Sequence, residues 1–140
     1  MECIFCSILN GESPVSLVFS GDQVTAFMDI QPVNKGHLLV IPNKHTASLA
    51  ELDPAVGAQI WRTGQRLAMA LYQTNLECEG VNFFLADGVA AGQEVFHVHL
   101  HVFPRFIGDG FGLRFRPDYH ILPPRIELDV IADKIRAALE

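Results

Sequence analysis

Strands, a helix, more strands and a final helix, in that order along 140 residues, predict an α+β fold on a largely antiparallel sheet. Two observations carry this. Short apolar runs bounded by Gly, Pro, Asn and Asp recur between residues 15 and 103. Two other stretches, near 53–75 and 126–139, repeat apolar residues at helical spacing instead. No linker or internal repeat separates them, so residues 1–140 are expected to form a single domain. A hydrophobic content of 49% supplies the core for it.

From the N-terminus, Cys3–Asn10 is expected to form a short helical turn closed by Gly11. Residues 15–20 and 24–30 are expected strands joined at Gly21-Asp22, a hairpin signal. A third strand is expected over 36–42, with Pro32 before it and Pro42 closing it. At Leu52-Asp53-Pro54 a helix starts, with Asp53 as N-cap and Pro54 in the first helical position. Val56, Ile60, Leu67 and Leu71 then mark one apolar face of a helix running to about Asn75. Residues 80–86 and 95–103 read as the last strands. Residues 108–120 form a loop containing Gly and Arg, and 126–139 a C-terminal helix.

The net charge is −6. Residues 1–94 carry 10 acids against 4 bases, whereas Arg105, Arg114, Arg116 and Arg125 outweigh Asp109 and Asp118 in 95–125. Such a chain is a poor general binder of nucleic acid but can hold one small anionic ligand. No apolar run approaches the ~18 residues of a membrane span. Glu2 and the lack of a positive leader segment argue against a signal peptide, so a cytoplasmic location is expected. There the Cys3-x-x-Cys6 pair points to metal or redox chemistry more than to a disulfide.

His97, His99 and His101 alternate with Val98, Leu100 and Val102. On a strand this alternation puts all three imidazoles on one face, about 6.6 Å apart. The apolar residues explain the strand; they do not explain three histidines in register, which are expensive to bury without a role. Two chemistries fit. Two of the imidazoles plus a third ligand can hold a catalytic zinc. Alternatively, one neutral imidazole attacks a phosphorus centre while its neighbour donates a hydrogen bond to the phosphate.

The flanks bear on the choice. Gly92-Gln93-Glu94-Val95-Phe96-His97-Val98-His99-Leu100-His101-Val102-Phe103-Pro104-Arg105 closely resembles the signature of the histidine-triad (HIT) family. Cys3-Ile4-Phe5-Cys6, Ala26–Ile30 and Gly36–His45 resemble its other segments, so the likeness covers almost the whole chain. It implies the HIT-like fold, a five-stranded antiparallel sheet with one long helix and a C-terminal helix, and a homodimer. It also implies a nucleotide hydrolase or nucleotidyl transferase working through a nucleotidyl-histidine intermediate. The substrates implied are adenine nucleotide conjugates, such as dinucleoside polyphosphates, phosphoramidates or adenylyl-sulfate.

Carried over by position, His99 is the nucleophile, His101 contacts the phosphate or leaving oxygen, and His37 steadies the triad strand. The resemblance gives Asp29 the ribose hydroxyls, and Ile4, Phe5, Ile8, Phe27 and Ile30 the base. Gly92, Gln93, Glu94, His99 and His101 surround the phosphate. Cys3, Cys6, His45 and His97 match the ligands of a structural zinc in some bacterial-type members. The chain departs from the pattern at Glu94, where Ser or Thr is usual, and at Ala86, where Asn or Gln is common; Asp87 is a candidate replacement for the latter. Arg105, Arg114 and Arg116 are candidates for distal phosphates. For the dimer contact the candidate is 56–84, with Ile60, Trp61, Phe83 and Phe84. The remaining alternatives are a zinc-dependent hydrolase using the triad as ligands and a non-catalytic nucleotide-binding scaffold.

Overall fold

A computed structural model of the chain describes residues 2–139. Helix α1 (Ile4–Leu9) precedes β1 (Leu17–Ser20), β2 (Val24–Met28) and β3 (Leu38–Pro42). The long helix α2 (Pro54–Gln73) leads to β4 (Gly80–Phe84), a 3-10 turn (Val89–Ala91), β5 (Leu100–Arg105) and helix α3 (Arg125–Leu139). The strands form one five-stranded sheet in the order β1-β2-β3-β5-β4, antiparallel throughout, as the α+β reading expects. No helix among the described residues is long and apolar enough to cross a membrane.

The chain divides into two compact units, one ending at Gly110 and the other beginning at Phe111. In the first, the Asp53 carboxylate accepts from the Ala55 N–H at 2.8 Å, capping α2 where the sequence places the cap. That helix buries Ile60, Thr63, Gly64, Leu67, Ala68 and Leu71. They pack on Val24, Ala26, Leu38, Val40, Leu100 and Val102, which share one face of the sheet by the period-two rule. A Cβ on Gly64 would lie 2.9 Å from Leu100, so glycine there lets α2 approach the sheet closely. On the opposite face Phe27, Leu39 and Ile41 are covered by Phe5 of α1. This second face carries the chemistry.

Several elements are shorter than expected. The Gln31 N–H donates to the Asp29 carboxylate at 2.8 Å, turning the chain and ending β2 at Met28. The larger difference is β5. A strand over 95–103 was expected, but the ladder to β3 begins at Val40↔Leu100. Pro42 has no N–H to donate toward β5 and its carbonyl accepts from the His97 ring at 2.8 Å, so β3 offers no further ladder partner and residues 95–99 lie outside the strand. Val98, Leu100 and Val102 still join the core on the α2 side, so the three histidines share the opposite face as expected, but His97 makes different contacts there from His99 and His101.

In the second unit Phe115 and Tyr119 stack at 3.9 Å between ring centroids, and Arg116 pairs with Asp118 at 2.9 Å. None of the described residues of α3 is buried; its apolar positions Ile126, Val130, Ile131 and Ile135 are exposed.

Candidate functional site

Each triad histidine has at least one ring nitrogen committed to the protein, and those commitments fix the proton positions. A backbone carbonyl only accepts and a backbone N–H only donates. His99 Nδ1 lies 2.7 Å from the His97 carbonyl, so Nδ1 carries the proton and Nε2 keeps its lone pair. At His37, Nδ1 accepts from the Val33 N–H at 2.9 Å, so the neutral ring is protonated at Nε2. That Nε2–H donates to His101 Nδ1, also at 2.9 Å. His101 is therefore protonated at Nε2. The His99 and His101 rings lie 5.0 Å apart. Two neighbouring imidazoles thus present opposite faces of acid–base chemistry, a bare nitrogen on His99 and an N–H on His101.

Asp29 Oδ2 lies 3.5 Å from His37 Nε2 and 3.8 Å from His101 Nδ1, beyond hydrogen-bond range. It acts by charge alone, and burial outweighs it. His101 is pushed down to about 4, first by desolvation and then by His99 and His37. Desolvation also lowers His37. Both rings stay neutral in the fold near pH 7, as the donor–acceptor relay requires.

The sign of the linkage follows. An unfolded histidine takes its proton near 6.5 and the folded ones resist it, so the unfolded chain binds more protons below that value. The fold is expected to be at full strength above pH 6.5 and to weaken as pH falls toward about 4. Urea midpoints at pH 7.5 and 5 should show this drop, and His101→Gln should flatten it; an unchanged slope in that variant would assign the drop elsewhere.

His97, beside His99 under the same Phe5 ring, makes a separate set of contacts. It is fully buried, and its Nε2–H donates to Pro42 O at 2.8 Å, leaving Nδ1 bare. That Nδ1 lies 3.4 Å from Cys3 Sγ and 3.7 Å from Cys6 Sγ, and His45 Nδ1 lies 3.4 Å from Cys6 Sγ. All four candidate ligand atoms fall within 4.8 Å of one another. A tetrahedral cation with ordinary metal–sulfur and metal–nitrogen bonds needs about 3.5 Å between a sulfur and a nitrogen. Without a cation, burial and the neighbouring Cys3 raise the Cys6 thiol, so two thiolates there require a counter-charge. The donor set therefore fits a closed Cys₂His₂ centre.

A second grouping, Asp29, His37 and His101, also brings candidate ligand atoms together. It does not fit a metal, because His37 Nδ1 is held as an acceptor by Val33 and its Nε2 must keep the proton. The triad is thus divided between the Cys₂His₂ cluster and the His99–His101 pair.

The remaining candidates separate clearly. Ile30 is 98% exposed and Ile4 half exposed, while Ile8 is half-buried against the Phe5–Phe27 cluster. Phe5 and Phe27 are buried in edge-to-face contact at 5.5 Å. Phe27 is 3% exposed beneath Phe5, itself 6% exposed. The assignment of Gln93 to the phosphate is corrected. Its Nε2 donates to Ala47 O and Val95 O, its Oε1 accepts from the Gly88 N–H, and its own N–H goes to Gly88 O. No donor is left for a phosphate, and the residue staples the 88–95 loop. The Gly92 N–H likewise closes the 3-10 turn onto Val89 O. Glu94 is exposed.

Asp87 does not substitute at the site, since its carboxylate accepts from the Leu49 N–H. Arg105 is also unavailable to phosphate: it holds Asp109 (2.6 and 2.9 Å) and Asn82 (2.7 Å). The Pro42 carbonyl and the Val33 N–H were missed by sequence reasoning, and Phe84 was assigned to the dimer contact and not to the site. The first two are backbone groups with no sequence signal. Phe84 sits opposite His101 in the β4–β5 register with ring centroids 5.7 Å apart, and correct strand pairing would have found it.

The chain is similar to known proteins in sequence and fold. The family model described as "HIT domain" matches residues 10–108. A HIT-like protein of Borreliella burgdorferi is 44% identical over 114 residues, covering 81% of this chain and 82% of that one. The crystal structure of a zinc-bound histidine triad family protein from Mycobacterium smegmatis is 41% identical with a TM-score of 0.77, over 84% of this chain and 85% of that one. An Arabidopsis thaliana protein named adenylylsulfatase HINT3 is 34% identical over 104 residues, which are 74% of this chain and 52% of that protein.

Proposed function

This chain belongs to the HIT domain family, and from that premise we propose that it is a nucleotide hydrolase or nucleotidyl transferase acting at the α-phosphate of an adenine nucleotide conjugate. The observation that carries this is the complementary pair: His99 with a bare Nε2 beside His101 with an Nε2–H, 5.0 Å apart between ring centres. The lone pair of His99 Nε2 forms a bond to phosphorus. The bond to the leaving oxygen or nitrogen breaks with its electron pair, and the His101 N–H donates to that atom. The positive charge that develops on the His99 ring is met at Nδ1–H by the His97 carbonyl. Water then attacks the same phosphorus, the phosphorus–nitrogen bond breaks with its electron pair left on His99 Nε2, and the proton the water gives up goes to the departed leaving group, so His99 returns to its neutral state.

Asp29 Oδ2 is the acceptor for ribose hydroxyls, since Oδ1 is used in the turn to Gln31. Ile4, Ile8 and Ile30 provide the apolar surface for the base. The name of the Arabidopsis relative supports an adenylyl substrate. Rapid mixing with substrate labelled at the α-phosphate, quenched in alkali because the phosphorus–nitrogen bond is acid-labile, should trap label on His99. Tight AMP binding with no trapped label and no turnover of phosphoramidates or dinucleoside polyphosphates would leave a nucleotide-binding scaffold.

Cys3, Cys6, His45 and His97 would hold zinc as a closed structural centre, with the Mycobacterium smegmatis relative in support. Elemental analysis should give about one zinc per chain. The chain also acts as a homodimer on this reading. Trp61 is 58% exposed, edge-on to Phe83 at 5.0 Å, with Met69 and Tyr72 exposed further along α2 and β4 at the sheet edge. Ile60 is excluded from that contact because it is buried in the core of its own subunit. Light scattering should give about twice 15.5 kDa; a monomer with full activity would sink this assembly.

A further inference from the structure

We infer that the Cys₂His₂ cluster is a positioning device for the nucleophile, acting on His99 through the peptide that joins His97 to Val98. This rests on the reading of His99 as nucleophile and deepens it. The carbonyl of that peptide accepts the His99 Nδ1–H at 2.7 Å, and its N–H donates to Thr46 O at 2.8 Å. The peptide plane is therefore held from both edges, and each anchor leads back to the cluster. The carbonyl belongs to His97, whose ring is fixed at Nε2 by Pro42 and at Nδ1 by the cysteine sulfurs. Thr46 directly follows His45, the ligand beside Cys6. The peptide is slung between two ligand-bearing segments, and Cys3 and Cys6 tie those segments together.

Such a device is needed here because the sheet does not reach this far. The β3 ladder stops at Leu100, so residues 97–99 lack the regular hydrogen bonds that would fix their backbone. Helix α1 has six residues and cannot hold itself. It is held by the cluster and by Phe5, which lies edge-on to His97 at 5.7 Å and to His99 at 5.1 Å. A neutral imidazole has two tautomers, and the partner of one nitrogen decides which is present. Only the Nδ1–H form leaves His99 Nε2 free to attack. Release of the four ligands lets the 97–98 peptide turn, and the second tautomer appears.

The test uses the full chain with ¹⁵N-labelled histidine, reading imidazole tautomers by NMR in the zinc-loaded protein, after chelation, and in His45→Ala and His45→Cys. His45 is exposed and touches no reacting atom. The loaded protein should show His99 as the Nδ1–H form. Chelation and His45→Ala should each shift the tautomer ratio about fivefold toward Nε2–H, the weight of one ordinary hydrogen bond, and lower kcat in proportion. His45→Cys, which restores four ligands, should recover both. The inference is overturned if His99 stays wholly Nδ1–H in chelated protein that circular dichroism shows to be folded, or if His45→Cys binds zinc without restoring the tautomer. Partial chelation places loaded and metal-free signals in one sample, so the comparison survives if His45→Ala fails to fold. The tautomer is read without substrate. Turnover that survives His99→Ala would therefore sink the nucleophile assignment and leave the tautomer result standing.

Discussion

His99→Ala is expected to lower kcat/KM by roughly four orders of magnitude, about 5 kcal/mol of transition-state stabilisation. The size follows from the kind of interaction lost. Alanine removes the atom that forms the covalent bond, so the two-step path disappears and water must attack the phosphorus directly. His101→Gln removes a hydrogen-bond donor while leaving the nucleophile, and its expected loss is smaller, about two to three orders of magnitude. Binding should separate from chemistry. Asp29 and the Ile4–Ile8–Ile30 surface are untouched in both variants, so the dissociation constant for AMP should change little. Steady-state kinetics on a phosphoramidate and a dinucleoside tetraphosphate, with calorimetric AMP binding alongside, give all the needed numbers. Turnover by His99→Ala at the wild-type rate would remove His99 from the mechanism, whatever happened to binding.

The order of those two effects was legible in the sequence only in part. Alternation placed His99 and His101 together, and the rings do lie side by side. The same alternation placed His97 on that face too, but a period-two pattern cannot reveal that pairing with β3 ends at Leu100 or that the His97 ring meets the cysteines. The helix start at Asp53-Pro54 and the hairpin at Gly21-Asp22 were readable because capping and turn chemistry are local. Gln93 and Arg105 were misread for the opposite reason. Their side chains are satisfied by Ala47 and Gly88, and by Asn82 and Asp109, through loop closures that a linear pattern does not show. Phe27 satisfied both a core and a pocket reading by spacing alone. Spacing could not show that the Phe5 ring would lie edge-on against it. The proton relay from Val33 through His37 to His101 depends on backbone groups, which every residue possesses, so no side-chain identity could announce it.

Cys3→Ser with Cys6→Ser is expected to produce the largest change in stability. The double substitution removes both sulfurs from a four-ligand cluster and leaves His97, fully buried, with its Nδ1 lone pair facing no cation. A metal bound only by the folded chain, at a free concentration about a thousandfold above its dissociation constant, stabilises by about 4 kcal/mol. For a domain of this size each kcal/mol moves Tm by roughly 3–4 °C, so the variant should melt roughly 12–16 °C below the zinc-loaded wild type. The loss should concentrate at α1, which packs through Phe5, Ile8 and Leu9 and is tied further by the two cysteines that flank Phe5. Hydrogen exchange should therefore speed up first at residues 4–10 and 45–46, and least in α2, whose contacts lie on the other face of the sheet. Chelation of the wild type should reproduce the whole shift, and the same chelator should leave the double variant unmoved. If the variant melts at the wild-type temperature, or if the chelator destabilises both proteins equally, the cysteines hold no stabilising metal and the α1 anchorage resides in its apolar contacts through Phe5, Ile8 and Leu9.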